Sequence, residues 1–156
     1  MTLEEAMRVL AALERERVRY VLIGSMGMAV LGVIRATRDM DFFVDPSPDN
    51  VDRLRRALDS VFHDPCIAEI TAEDLGGPYP AVQYVPPEGD FSIDILSRLG
   101  ERFSFEQIES QEVTIDGVVV RVATAQMLYR MKRDTIRPQD KADAIELLRR
   151  FDLEEE

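Results

Sequence analysis

The sequence predicts an α/β domain with a mixed β-sheet flanked by helices, and three observations predict it. The chain has 156 residues, about the size of one domain, and 46% of them are hydrophobic, which is enough for a core. Apolar stretches with strand periodicity alternate with stretches of helical periodicity. No internal repeat or interdomain linker is visible. We therefore expect a single domain over 1–156.

Capping and turn residues divide the first half of the chain into elements. Thr2 followed by Glu5 has the spacing of a helix capping box. Gly24-Ser25 ends an apolar strand, and Pro48 is suited to the start of a helix. The predicted elements are a helix over 3–16, a strand over 18–23, a short apolar helix over 26–33, a strand over 39–45 and a helix over 50–61.

The second half begins with a loop-rich stretch over 63–80 that contains several Pro and Gly residues. Asp116-Gly117 is a strong signal for a two-residue hairpin turn. Thr124 is suited to cap a helix, and Pro138 interrupts that helix. The predicted elements are strands over 81–85, 91–96, 113–115 and 118–122, a helix from 124 to about 135 and a last helix over 139–151.

Charge and cysteine content exclude several classes of function. With 19 Lys and Arg against 30 Asp and Glu, the formal charge is −11, so the average field repels a polyanion and non-specific DNA binding is not expected. The lone Cys66 cannot form an internal disulfide and has no companion ligands for zinc. The N-terminus lacks a basic targeting region, and no run of 18 apolar residues occurs. We expect a cytoplasmic protein with no membrane segment.

Three aspartates on two predicted strands are candidates for a metal site. Because strand periodicity is two, Asp39 and Asp41 share one face while the apolar residues between and after them face the core. Asp94 lies in a later alternating strand, and Asp90, in a predicted turn, is the alternative third carboxylate. Two Mg²⁺ ions about 3.5–4 Å apart require several convergent carboxylates. A solvated strand face is the alternative interpretation of the pair taken alone.

The turn between the first strand and the short helix is a candidate phosphate site. Gly24 allows the backbone to approach a ligand closely, and Ser25 adds a hydroxyl to the N–H groups of the turn. Such a turn suits the phosphates of a nucleoside triphosphate. The alternative is that Ser25 only caps the following helix.

The turn residues, the strand aspartates and several residues of the C-terminal helices occur in a recognisable order along the chain. The positions of this pattern in the first part of the chain are Gly24, Ser25, Gly32, Arg35, Thr37, Asp39 and Asp41. It continues in the C-terminal helices at Lys132, Arg137, Asp140 and Asp143. Over roughly 18–150 the chain resembles the nucleotidyltransferase superfamily, in particular small bacterial proteins related to the AbiEii-type toxin domain.

The resemblance implies the nucleotidyltransferase fold and assigns roles to the candidate residues. Gly24 and Ser25 would bind the triphosphate, and Asp39 and Asp41 would ligate two Mg²⁺ ions. Asp94 would complete the metal site and help to activate an acceptor hydroxyl.

Three further residues follow from the same resemblance. Lys132 would contact phosphate, although an exposed lysine beside a helix core is the alternative. Arg35 and Thr37 are candidates for nucleotide binding, and Arg35 is equally suited to pair with Asp39.

The expected function is Mg²⁺-dependent transfer of a nucleoside monophosphate from a triphosphate to an acceptor hydroxyl, with release of pyrophosphate. The acceptor could be a small molecule, an RNA end or a protein. One alternative is a nucleotide-binding or partner-binding module with weak catalysis. Another is a toxin that modifies RNA and is neutralised by an antitoxin protein.

Overall fold

A computed structural model describes residues 2–33, 39–87, 91–99 and 103–154. The helices are α1 (Leu3–Arg15), α2 (Gly24–Val30), α3 (Pro48–Phe62), α4 (Ala72–Leu75), α5 (Ala125–Arg133) and α6 (Pro138–Phe151). The strands are β1 (Tyr20–Ile23), β2 (Asp39–Val44), β3 (Ala81–Tyr84), β4 (Ser92–Leu96), β5 (Arg98–Leu99), β6 (Phe103–Ser104), β7 (Ser110–Ile115) and β8 (Val118–Ala123). Within these ranges, no helix combines the length and apolar character needed to cross a membrane.

Six strands form one mixed sheet in the order β3-β4-β2-β1-β8-β7. The central strands β1 and β2 are antiparallel to each other, and each has a parallel neighbour on its other side, β8 for β1 and β4 for β2. Both edge strands, β3 and β7, pair antiparallel with their neighbours. The predicted mixed sheet flanked by helices is confirmed. Strands β5 and β6 form a separate two-stranded ribbon that the sequence analysis did not predict.

Helices cover both faces of this sheet, because alternate residues of the central strands face opposite sides. Tyr20, Phe42 and other residues of the same face pack against α1 and α3. Val21 and Phe43 face the other way and pack with residues of α2, α5 and α6. Asp39, Asp41 and Phe43 alternate along β2, so their side chains share one face of the sheet. The carboxylates therefore lie on the face that α2, α5 and α6 cover.

A buried amide fixes the ends of β1 and β2 that lie away from these carboxylates. Asn50 is 1% exposed. Its Oδ1 accepts a hydrogen bond from Arg19 N at 2.7 Å, and its Nδ2 donates to Arg19 O at 3.0 Å and to Asp45 O at 2.7 Å. All three backbone groups are satisfied by one side chain, so the antiparallel register of the two strands is defined from this end.

The largest differences from the predicted elements have local causes. The short helix α2 begins at Gly24 rather than at 26, directly after the strand. The predicted loop over 63–80 contains a 3₁₀ helix at Pro65–Glu69 and the helix α4. Side chains of Asp64 and Thr71 accept hydrogen bonds from backbone N–H groups at the starts of these two helices. Such local caps stabilise single turns inside a sequence that is rich in Pro and Gly.

Candidate functional site

One cleft of about 340 Å³ gathers the candidate residues that the structure describes. Three larger clefts, of about 540, 570 and 470 Å³, have one, one and two carboxylates in their described lining. The 340 Å³ cleft has five in its described lining. The polar and charged residues of this lining are Ser25, Asp39, Asp41, Asp94, Lys132, Thr135, Arg137, Gln139, Asp140 and Asp143. Arg35, Thr37 and Asp90 lie outside the described residues.

Strand pairing brings the three predicted carboxylates together. Asp41 of β2 is directly opposite Asp94 of the parallel strand β4. Neighbouring strands lie about 4.8 Å apart, so side chains at such a pair are in reach of each other. The carboxylates of Asp41 and Asp94 lie close enough to interact. Asp39 lies two residues before Asp41 on the same face and is exposed, whereas Asp41 and Asp94 are half-buried.

The crowding of these carboxylates changes the acidity of Asp41. Burial, a hydrogen bond with Asp94 and the charges of Asp94 and Asp39 raise the pKa of Asp41 to about 7, while Lys132 opposes the rise. Two carboxylates can share a hydrogen bond only if one carries a proton. The described lining of the cleft has more carboxylates than cations, and this imbalance favours the protonated form of Asp41.

The donor set of the site suits a hard divalent cation. Carboxylate oxygens are the ligands that Mg²⁺ prefers, and Asp39, Asp41 and Asp94 supply them from one face of the sheet. As the side chains stand, no group of three acidic, His or Cys side chains in the described ranges forms a ready metal cluster. A cation at this site would relieve the repulsion between these carboxylates. The residues present fit the predicted metal in their chemistry and their charge.

Gly24 lies against the carboxylate of Asp41. The antiparallel pairing of β1 with β2 places Ile23 opposite Asp41, and Gly24 follows with φ +68°. A Cβ at Gly24 would overlap Asp41 Oδ2 and lie 3.1 Å from Asp41 Cγ. Only glycine combines this backbone conformation with this close approach.

Ser25 lies in the first turn of α2 and lines the cleft. The residue at the N-cap position is Ile23, and no side chain forms a capping hydrogen bond there. The alternative that Ser25 caps the helix is therefore wrong, because the helix begins one residue before Ser25. Its hydroxyl is placed beside the carboxylates, where a ligand could reach it.

Lys132 is buried at the wall of the cleft, with 7% of its surface exposed. Its Nζ lies 2.8 Å from Asp143 Oδ2 and 3.5 Å from Asp140 Oδ1. Gln139 Nε2 donates to the second oxygen of Asp143 at 3.0 Å. The alternative of an exposed surface lysine is wrong, since the ion pair with α6 allows the ammonium group to be buried.

The sequence analysis assigned no role to Ser92 or to the apolar wall of the cleft. Ser92 Oγ donates to Asp39 Oδ1 at 2.8 Å, and Gln83 Nε2 donates to Ser92 Oγ at 3.4 Å. The alternation that selected Asp94 also places Ser92 on the same strand face, so this signal could have found it. The apolar wall consists of Ile23, Leu96, Leu99, Leu128 and Met131. These residues are far apart in the sequence, so no local sequence pattern indicates that they form one wall.

Comparison with solved structures identifies the fold. A protein of Thermotoga maritima solved as a candidate nucleotidyltransferase is 16% identical, with a TM-score of 0.57 over 97% of this chain and 94% of that chain. An antigenic nucleotidyltransferase-like protein of Paracoccidioides brasiliensis is 15% identical, with a TM-score of 0.57 over 93% and 75% of the two chains.

A third similar structure is that of ANT(2″)-Ia in complex with adenylyl-2″-tobramycin. It is 15% identical, with a TM-score of 0.54 over 94% of this chain and 87% of that chain. No known family and no curated protein matches the sequence. These likenesses confirm the predicted nucleotidyltransferase fold, while the AbiEii-type subgroup stays a prediction.

Gly24→Ala is expected to lower the free energy of unfolding by more than the roughly 1–2 kcal/mol that a left-handed conformation costs a residue with a Cβ. The excess arises because the new Cβ overlaps the carboxylate of Asp41. Gly32→Ala is the matched control, since Gly32 also has positive φ but a Cβ there meets none of the described residues within 4 Å. Urea unfolding of both variants measures the difference. Equal losses would contradict the close approach, and Asp41→Ala should relieve part of the Gly24→Ala loss.

Asp41→Asn should make the metal-free protein as stable as wild type or more stable at about pH 8. The folded state binds the Asp41 proton more tightly than the unfolded state, because its pKa is raised to about 7. The free energy of unfolding of the wild type therefore decreases as the pH rises through that value. The variant lacks this titrating group and does not undergo the decrease. At about pH 5 the two proteins should differ less, since Asp41 is then protonated in the folded state.

Urea unfolding in chelator at both pH values checks this expectation. A clear loss of stability for Asp41→Asn at the higher pH would show that Asp41 supports the fold through an ion pair. That result would count against its assignment as a metal ligand, even if activity were also lost.

Proposed function

We propose that the protein is a Mg²⁺-dependent nucleotidyltransferase that moves a nucleoside monophosphate from a triphosphate to an acceptor hydroxyl. The observation that carries the proposal is the meeting of Asp39, Asp41 and Asp94 beside the Gly24-Ser25 turn in one cleft. The nucleotidyltransferase fold supports it.

The carboxylates and the turn have separate tasks in this proposal. Asp39, Asp41 and Asp94 would hold the two Mg²⁺ ions, which neutralise charge on the phosphates and orient the reacting oxygens when bound. The backbone at Gly24 and the hydroxyl of Ser25 would contact the triphosphate. Arg35 and Thr37 remain proposed nucleotide-binding residues on the strength of the sequence resemblance alone.

The reaction requires one bond to form and one to break. The acceptor oxygen bonds to the α-phosphorus, the bond from that phosphorus to the pyrophosphate oxygen breaks, and the acceptor hydroxyl loses its proton. Asp94 would accept this proton, because its carboxylate lines the cleft directly opposite Asp41. Lys132, whose charge already acts on Asp41, would stabilise the negative charge of the leaving pyrophosphate.

The charge of the cleft favours an acceptor that is neutral or cationic. Its five described carboxylates exceed its described cations, Lys132 and Arg137, and Asp143 with Asp140 already pairs with Lys132. The formal charge of the whole chain is −11. A polyanionic acceptor would therefore approach against the field of the protein. The adenylylated tobramycin bound to ANT(2″)-Ia is an example of a small hydroxylated acceptor in the same fold.

A transfer assay tests the proposal. With a triphosphate labelled at the α-phosphate, the protein should transfer label to a hydroxylated amine acceptor, only with Mg²⁺, and release one pyrophosphate per transfer. Asp41→Asn and Asp94→Asn should each lower the rate by about hundredfold or more. Asp74→Asn, which alters an exposed carboxylate on α4, is the control and should leave the rate unchanged.

The same assay with RNA and with protein acceptors tests the other acceptor classes, including the predicted action of an RNA-modifying toxin. Faster labelling of RNA than of the amine would overturn the proposed acceptor class. Triphosphate binding without any transfer would favour a binding module. Transfer that persists in chelator, or in Asp41→Asn, would overturn the metal-dependent mechanism itself.

Ser25→Ala is expected to weaken triphosphate affinity while lowering the free energy of unfolding by less than about 0.5 kcal/mol, because Ser25 makes no cap. Thr124→Ala is the matched control. Thr124 does cap α5 through a hydrogen bond from Met127 N, so its loss should cost about 1 kcal/mol of stability without changing nucleotide affinity. Calorimetric titration and urea unfolding measure the two quantities. Unchanged affinity in Ser25→Ala would remove Ser25 from the proposed phosphate site.

A further inference from the structure

Asp41 and Asp39 have different surroundings in the cleft. Asp41 is half-buried, lies directly opposite Asp94 and is packed against Gly24. Asp39 is the first residue of β2 and is exposed to solvent. An exposed carboxylate at the end of a strand can adopt several rotamers, and a metal site that depends on it must restrict them.

Ser92 contacts the Asp39 carboxylate. The parallel register of β2 with β4 places the two residues directly opposite each other. Ser92 is 8% exposed, and its Oγ lies 2.8 Å from Asp39 Oδ1. An ionised carboxylate only accepts hydrogen bonds, so the hydroxyl of Ser92 must donate its proton to it. Such charge-assisted bonds are stronger than those between neutral groups.

Gln83 on the edge strand β3 supports the direction of this bond. Its Nε2 lies 3.4 Å from Ser92 Oγ and donates to it. The hydroxyl oxygen therefore accepts from Gln83 while its proton is directed to Asp39. The chain of donors crosses three neighbouring strands and ends on the carboxylate.

We propose that Ser92 is a positioning residue of the metal site, which holds the carboxylate of Asp39 in the orientation that receives a divalent cation. The inference rests on the proposed function, because it assumes that Asp39 is a metal ligand. The bond to Oδ1 fixes the rotation of the carboxylate group and hence the direction of Oδ2. Preset orientation lowers the entropy lost when the cation binds.

The test compares Ser92→Ala with Ser92→Thr in the full chain. Mn²⁺ titration followed by electron paramagnetic resonance, without nucleotide, measures metal affinity directly. Ser92→Ala should weaken Mn²⁺ binding by about tenfold or more, as is typical when a partner of a metal ligand is lost. Ser92→Thr keeps the hydroxyl on a strand and should restore the affinity. A crystal structure of metal-free Ser92→Ala should show Asp39 turned or in several conformers.

Ser97→Ala is the matched control. Ser97 is a buried serine just after the same strand, and its hydroxyl donates to Leu75 O, away from the carboxylates. This variant should lose stability and keep its Mn²⁺ affinity. Equal weakening of Mn²⁺ binding in Ser92→Ala and Ser97→Ala would show a general structural effect and overturn the positioning role.

Asp39→Asn separates failure of the inference from failure of the proposed function. If Asp39→Asn weakens Mn²⁺ binding while Ser92→Ala stays within about twofold of wild type, the positioning role is overturned and the metal site stands. If Asp39→Asn has no effect, Asp39 is not a ligand and the proposed site itself fails. An unmoved Asp39 in the crystal structure of Ser92→Ala overturns the positioning role whatever the metal affinity.

Discussion

The antiparallel register of β1 with β2 is the constraint on which the candidate site depends. It places Ile23 opposite Asp41, so the backbone of Gly24 comes into contact with the Asp41 carboxylate as the chain turns into α2. A shift of one residue would turn Asp41 to the opposite face, among the core residues packed against α1 and α3. Asn50 defines the far end of the same strand pair through three backbone hydrogen bonds. The register of the site is thus determined from both ends.

The site brings several carboxylates together, and protonation of Asp41 and the positive charge of Lys132 both reduce their repulsion. Burial, together with the nearby carboxylates of Asp94 and Asp39, raises the pKa of Asp41 to about 7. Lys132 reduces the imbalance, yet it is itself paired with Asp143 on α6. Such a loss of stability is common where a fold holds like charges together for a ligand. In the proposed enzyme, metal cations take over the compensation.

Strands and helices from different parts of the chain supply the described walls of the cleft. Strands β2 and β4 carry the carboxylates, the start of α2 carries the turn, and α5 with α6 carries the buried lysine and its partners. Ser92 links two of the strands through its bond to Asp39. The long helices α5 and α6 pack on one face of the sheet with α2, so the core residues that stabilise the domain also hold the cleft together.

The sequence by itself determined the α/β class, most helix and strand positions and the shared face of Asp39 and Asp41, because capping, turn and period-two signals act over a few residues. It also identified Asp94, which lies in an alternating strand. Only the tertiary structure decided that Asp94 is opposite Asp41, that Lys132 is buried against Asp143, and that Ser92 contacts Asp39. These contacts join segments far apart in the chain, and their pairing depends on strand order and helix packing, which no local periodicity encodes.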